Sequence, residues 1–179
     1  MGLMDNPVEK SVQILLENRF MDVSTANRGP WVAPVFYGVD PDLNFYFVSR
    51  TDSRHGNDIE NTNKAAVAIW DSTETPESAD GLQIKTNAKL VDDINLKEAK
   101  KFLFKKRFEN VEKSREYIED AEKYCEGSEK RIFKLETVKM FKLSGAYSRT
   151  KIDTEKVKKN LRKIHNENRL SSEHRKRVI

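Results

Sequence analysis

Nine residues from Leu82 to Leu90 alternate without a break, with Leu82, Ile84, Thr86, Ala88 and Leu90 on one parity and Gln83, Lys85, Asn87 and Lys89 on the other. A period of two belongs to a strand whose successive side chains point to opposite faces, so this chain must build a sheet with one face on a core. The second face is polar or meets a partner. Further β-rich runs precede it at Phe20–Ala26, Trp31–Val39, Phe45–Ser49 and Ala65–Trp70. The last of these is short, apolar and partly β-branched, which predicts a strand buried on both faces. Pro34 interrupts the Trp31–Val39 run. Because proline donates no ladder hydrogen bond, it marks an edge, a bulge or a place where the backbone faces a flat ligand. Arg131–Leu143 carries Phe133, Leu135, Phe141 and Leu143 on one parity around Glu136-Thr137, which reads as a strand pair or as one bent strand.

Helices fill the gaps between these runs. Asp5-Asn6-Pro7 sets a cap and a first-turn proline, and Val8, Val12, Leu15 and Leu16 then line one face to about Asn18. Asn95 is placed to cap a helix bearing Leu96, Ala99 and Leu103. Another is expected from Ser114 to Cys125 with Tyr117, Ile118, Ala121 and Cys125 on one face, stopped by Gly127. Asp71–Gly81, with Pro76, has no period and is a loop or a mobile lid. After Gly145, Asp153 or Thr154 caps a last helix with Val157, Leu161 and Ile164 as its stripe. The order of elements indicates an α+β chain, mainly β: a small barrel or curved sheet of six or seven mostly antiparallel strands with flanking helices.

At 179 residues, with 37% hydrophobic and 35% charged, the chain supports one domain with a core and an appendage. The division expected is 1–148 for the domain and 149–179 for a basic helical tail. That tail holds 11 Lys/Arg against 4 Asp/Glu, while the rest of the chain holds 22 against 25. It lacks the aromatics that stack on bases, so nucleic acid is not an expected partner, and its stripe is expected to pack on the domain or a partner subunit. No apolar run reaches the ~20 residues of a membrane span and no secretory pattern opens the chain, which points to a soluble, cytoplasmic protein without membrane contact. The single Cys125 forms no internal disulfide, and three His residues show no zinc spacing, so no metal is expected.

The chemistry concentrates between Phe45 and Trp70, which reads as strand, polar turn, short helix, strand. Ser49, Thr51 and Ser53 bring hydroxyls, Arg54 a guanidinium and His55 an imidazole, all at a helix start where Ser53 is the natural cap. Either Ser53 only caps the helix, with Arg54 and His55 solvated, or the group holds an anion such as a phosphate.

The stretch Phe47-Val48-Ser49-Arg50-Thr51-Asp52-Ser53-Arg54-His55-Gly56, followed by Ile59-Glu60-Asn61 and Ala65-Ala66-Val67-Ala68, resembles the FMN-binding split β-barrel proteins related to pyridoxine 5'-phosphate oxidase. The likeness covers Phe20 to Val91 and extends more loosely to Leu143. It implies a split β-barrel and a homodimer with two FMN molecules between subunits. Ser53 and Arg54 would hold the phosphate with help from Ser49, and His55 stands where the oxidases carry Lys. Pro34, Val35 and Phe36 would lie along the isoalloxazine, and Gln83 would reach its polar edge. Val32–Gly38 lacks the Arg and Lys of the oxidases, and Phe141–Ala146 lacks their Arg- and His-bearing grip on pyridoxal phosphate. The resemblance thus implies a flavin oxidoreductase with a small-molecule substrate other than vitamin B6. The rival readings are a non-catalytic flavin binder or sensor, or a deazaflavin- or haem-binding split barrel. No catalytic residue is marked, since Tyr37, Arg50, Trp70 and Lys85 each read as structural or solvated.

Overall fold

The computed structural model describes residues 6–177 apart from 72, 74, 76, 109, 121 and 145–147. Asp5, Pro76, Ala121, Gly145 and Ala146, used in the reading above, lie outside the described residues. Eight strands appear among those described: β1 (Phe20–Ala26), β2 (Pro30–Phe36), β3 (Gly38–Val39), β4 (Asn44–Arg50), β5 (Lys64–Trp70), β6 (Gly81–Leu90), β7 (Lys130–Ser144) and β8 (Ser148–Lys151). They form one sheet in the order β2-β1-β5-β6-β7-β4-β3, with β8 on β7, and every pairing is antiparallel. The sheet curls until β2 touches β4. The result is a half-barrel, as the alternation of Leu82–Leu90 and its neighbours requires.

The inner face carries Met21, Val23, Phe45, Phe47, Val67, Ile69, Leu82, Ile84, Phe133 and Leu135 in one buried cluster. Phe47 and Phe133 stack with centroids 5.1 Å apart. Contrary to the sequence reading, β5 is buried on one face only: Ala65, Val67 and Ile69 point inward, while Ala66 and Trp70 are exposed. Among the described residues no helix covers the outer side there, so the apolar run is an alternation with alanines in the polar slots. Trp31–Val39 divides at the buried Tyr37, whose Oη donates to the Leu15 carbonyl at 2.8 Å. β7 is a single bent strand. Its register with β6 slips between Lys85 and Thr86, leaving Val138 without a partner. That bulge reverses the parity, so Met140 joins Phe133 and Leu135 in the core. Phe141 pairs with Gln83 on the outside instead.

α1 (Pro7–Glu17) is capped by Asn6, which accepts from the Val8 amide at 3.1 Å. Its buried face differs by a step from the one expected, since Ile14 is 7% exposed and Leu16 is 42% exposed. α2 (Arg54–Thr62) follows the polar turn. α3 (Leu96–Arg107) starts without a side-chain cap from Asn95; the Asp92 carboxylate accepts from the Asn95 amide at 2.9 Å and takes that part. α4 is shorter than expected, Val111–Glu119, and Asn110 caps it. Cys125 sits in the turn beyond, where Tyr124 adopts φ 72°, so it shares no helical face with Ile118. α5 (Thr154–Arg177) packs on α1, and Ile152, Val157 and Leu161 belong to the main core cluster. β8, a run of four exposed residues, carried no strand signal. Among the described residues no helix is long and apolar enough to cross a membrane.

α3 lies so close to β3 that a Cβ on Gly38 would come within 2.5 Å of the Phe102 carbonyl oxygen. This approach carries Lys106 over Tyr37, with Nζ 3.5 Å from the ring centroid and 2.8 Å from the Leu15 carbonyl it donates to. The carbonyl belongs to the last turn of α1, where a cation meets the negative end of the helix dipole. Burial nevertheless pushes the Lys106 ammonium down to about 7. An unfolded lysine holds its proton to a pH of about 10.4, so between these values the unfolded chain binds more protons than the folded one. Stability should therefore rise with pH from 7 toward 10 in urea titrations, and Lys106→Met should flatten that rise.

Candidate functional site at the start of α2

β4 runs straight into the turn at Arg50–Ser53 and then into α2. Ser53 has extended backbone (φ −66°, ψ 154°), and its Oγ accepts from the Gly56 amide at 3.1 Å. Gly56 is required here, because a Cβ would lie 2.8 Å from the Thr51 carbonyl oxygen and 2.9 Å from that of Arg50. Ile59 anchors the helix in the core, and the buried Asp58 accepts from the Thr25 hydroxyl at 2.7 Å. Asn63 ends the helix in the left-handed region at φ 54°.

Three side chains at this start form one hydrogen-bonded line. Ser53 Oγ donates to the Arg50 carbonyl at 2.7 Å, so its only proton is spent. The 3.1 Å contact between Ser49 and Ser53 then needs the Ser49 proton. His55 Nε2, 2.7 Å from Ser49 Oγ, must in turn donate. The line runs His55 Nε2–H to Ser49 to Ser53 to the Arg50 carbonyl, and it fixes the tautomer: neutral His55 keeps its lone pair on Nδ1. Burial beside Phe47, 6.0 Å away ring to ring, holds the His55 pKa below its ordinary 6.5, and the Asp58 carboxylate partly opposes this.

Both serine hydroxyl protons are thus engaged inside the protein. What remains for an anion is the helix start itself, whose Arg54 and His55 amides have no intrahelical acceptor, together with the Arg54 guanidinium. Arg54 Nη2 donates to the Arg28 carbonyl at 3.2 Å, and its guanidinium stacks over Trp31 at 4.7 Å. Arg50 is committed elsewhere, paired with Asp52 at 2.7 Å and with Glu129. A donor set of amides, guanidinium and helix dipole fits a phosphate.

Pro34, Phe36 and Gln83 lie away from this cluster, on the outer face of the sheet. The register aligns Pro34, Asp22, Ala68, Gln83 and Phe141 in one row across β2, β1, β5, β6 and β7. Pro34 and Gln83 are three strand spacings apart, roughly 14 Å. Val35 has the opposite parity, pairs with the buried Met21 and packs on the core. Ser49 shares the inward parity of Phe45 and Phe47. The structure therefore brings Ser49, Ser53, Arg54 and His55 together and leaves Pro34, Phe36 and Gln83 as a second group on the other face.

Three residues of interest were missed. Trp31 follows Gly29-Pro30 and looked like a strand start, Asp58 stands three residues beyond His55, and Thr25 faces Asp58 from β1. The i, i+3 spacing of His55 and Asp58 was legible; the Trp31 contact depends on how the β1–β2 turn folds over α2. Trp31 also lines an open cleft of about 800 Å³ with Ser24, Thr25, Val32, Thr62, Lys64 and Ala66. None of the residues expected to bind cofactor lines it. Among the described residues no cluster of three or more His, Cys, Asp or Glu is placed to hold a metal.

The family model described as pyridoxamine 5'-phosphate oxidase matches residues 8–140. No curated protein matches the chain. Among solved structures, a haem-binding protein from Mycobacterium smegmatis superposes with a TM-score of 0.67 at 16% identity, covering 88% of this chain and 62% of that one. This chain thus spans less than two thirds of that protein. An FAD-binding protein from Mesorhizobium loti gives a TM-score of 0.55 at 14% identity, covering 75% of this chain and 91% of that one. HutZ, the haem storage protein from Vibrio cholerae, gives 0.57 at 13% identity, covering 78% and 97%. At these identities the likeness is one of fold, the split barrel.

The hydrogen-bond line makes a spectroscopic prediction for His55. Ring nitrogen shifts in the ligand-free protein should show the Nε2–H tautomer and a midpoint below 6.5. Asp58→Asn removes the one negative charge that favours the imidazolium while keeping an acceptor for Thr25, so the midpoint should fall further.

Proposed function

This chain belongs to the pyridoxamine 5'-phosphate oxidase family, whose model matches residues 8–140, and from that premise we propose that it is a cytoplasmic flavoprotein holding FMN with the phosphate at the start of α2. The observation that carries this reading is the α2 start itself: Ser53 caps it, Arg54 stands beside it, and the line from His55 to Arg50 holds it in place. Bound flavin supplies two-electron chemistry. The chain supplies position and charge. Arg54 and the first-turn amides neutralise the phosphate, and Gln83 presents an amide from the exposed face of β6 to the polar edge of a ring.

The reaction proposed is an oxidoreduction of a small molecule other than vitamin B6. In the stretch Phe141-Lys142-Leu143 the only cation is Lys142, and it is bound to Asp80 at 2.8 Å. No residue is assigned as catalytic. A second reading is haem binding, favoured by the fold shared with a haem-binding protein and a haem storage protein. Incubation with FMN or haemin followed by dialysis separates the two, through retained flavin absorbance or a Soret band. Anaerobic mixing of the flavin form with NADH or NADPH then distinguishes an enzyme, which bleaches, from a non-catalytic binder. For the flavin reading, Arg54→Ala should weaken FMN by roughly tenfold or more while changing riboflavin little, since only FMN carries the phosphate.

We also propose that the site is completed in a homodimer. Pro34 and Gln83 lie on the face opposite Ser49, so one flavin meets both groups most simply between two copies. The outer face is suited to burial, with Phe20 62%, Val32 55% and Trp70 55% exposed beside Ala66 and Ala68. Light scattering should give a dimer for the full chain. Ala66→Glu, on the exposed side of β5, should leave the fold intact, shift the mass to a monomer and abolish flavin retention.

A further inference from the structure

His55 is the one group at the start of α2 whose charge changes near neutral pH, and the hydrogen-bond line determines how it does so. Nε2–H is already committed to Ser49 at 2.7 Å, so a second proton must enter at Nδ1. Protonation there adds a full positive charge without breaking the bond to Ser49 or disturbing the Ser53 cap. In the free protein burial against Phe47 favours the neutral ring, and a position at the positive end of the α2 dipole works in the same direction. The groups that surround it are few. Asp58, on the next turn of α2, favours the charge but is shared with Thr25 of β1. Arg131 stands across the ladder from Ser49 on β7, but it is directed to the Val91 carbonyl at 3.0 Å and toward Asp93 at 3.7 Å. Arg50 and Asp52 in the turn neutralise each other.

Resting on the proposal that a phosphate binds at this helix start, we propose that the site is proton-linked: a phosphate monoester held by Arg54 and the first-turn amides is accompanied by uptake of a proton at His55 Nδ1. The anion reverses the balance of the free protein, because a dianion held at the His55 amide favours the charged form of the same residue's ring. His55 then serves as a cation that is present when ligand is bound and absent when it is not. By linkage, a group whose pKa is higher in the complex than in the free protein makes binding tighter at low pH. Affinity is therefore gained as pH falls through the bound-state value toward the free-state value, which lies below 6.5.

The ligand's own phosphate opposes this trend, since it loses its second proton near pH 6 and the dianion binds better. A comparison of variants cancels that term. FMN titrations by calorimetry at pH 6 to 8, each in two buffers of different ionisation enthalpy, give both the affinity and the protons taken up. His55→Gln keeps a donor for Ser49 but cannot be charged, and His55→Lys carries a permanent charge. Wild type should take up more protons per FMN than His55→Gln, and its affinity relative to His55→Gln should rise about five- to tenfold from pH 8 to pH 6. Relative to His55→Gln at the same pH, His55→Lys should gain at pH 8 about the factor that wild type gains at pH 6. Riboflavin should show no such difference between wild type and His55→Gln. Equal proton uptake by wild type and His55→Gln, with FMN bound by both, overturns the linkage and leaves the FMN reading standing. Failure of FMN to bind wild type at any of these pH values overturns the FMN reading itself, and with it the linkage.

Discussion

The half-barrel depends on β7 finding partners along both of its edges. One edge pairs with β6 for nearly its whole length; the other is divided between β4 in the first half and β8 in the second. A flat strand could not serve all three. The bulge at Val138 supplies the bend, and by adding one residue to one side of the ladder it also exchanges the faces of everything beyond it. Met140 fills the core behind Phe133 for that reason, and Phe141 joins the outer row. The curl that brings β2 to β4, and with it the β1–β2 turn to α2, follows from the same bend.

The polar cluster at α2 is best understood as two sets of groups with different work. Ser49 and Ser53 spend their hydroxyl protons on holding the turn, and Gly56 admits the turn carbonyls at a distance that no side chain would allow. Charge is supplied by Arg54 and, in its protonated form, by His55. This separation keeps the turn rigid while leaving its net charge adjustable.

How much of this was legible in the sequence depended on whether the signal was local. Strand period, the Asn6-Pro7 start of α1 and the Ser53 cap are properties of neighbouring residues, and they appear in the structure where the sequence places them. The family likeness is likewise carried by a continuous stretch. The features that escaped depend on distant parts of the chain. Whether Ala66 is buried is decided by the absence of a covering helix, not by Ala66. The parity of Phe141 is set by a bulge that no residue near Val138 announces. Asn95 has the residue type of a cap, yet Asp92 is better placed to take the role. β8 is a strand because an unpaired stretch of β7 is available to it, and its own residues are indifferent. In the candidate site the hydroxyl-and-cation cluster was legible, whereas the separation of Pro34 and Gln83 from it onto another face required the register of four strands.

The bond from Arg54 to the Arg28 carbonyl has a mechanical meaning. It joins the only long side-chain cation of the helix start to the tip of the β1–β2 hairpin, and Trp31 lies clamped between guanidinium and cleft. One guanidinium thereby holds the hairpin tip against the start of α2 and seats Trp31 at the mouth of the cleft.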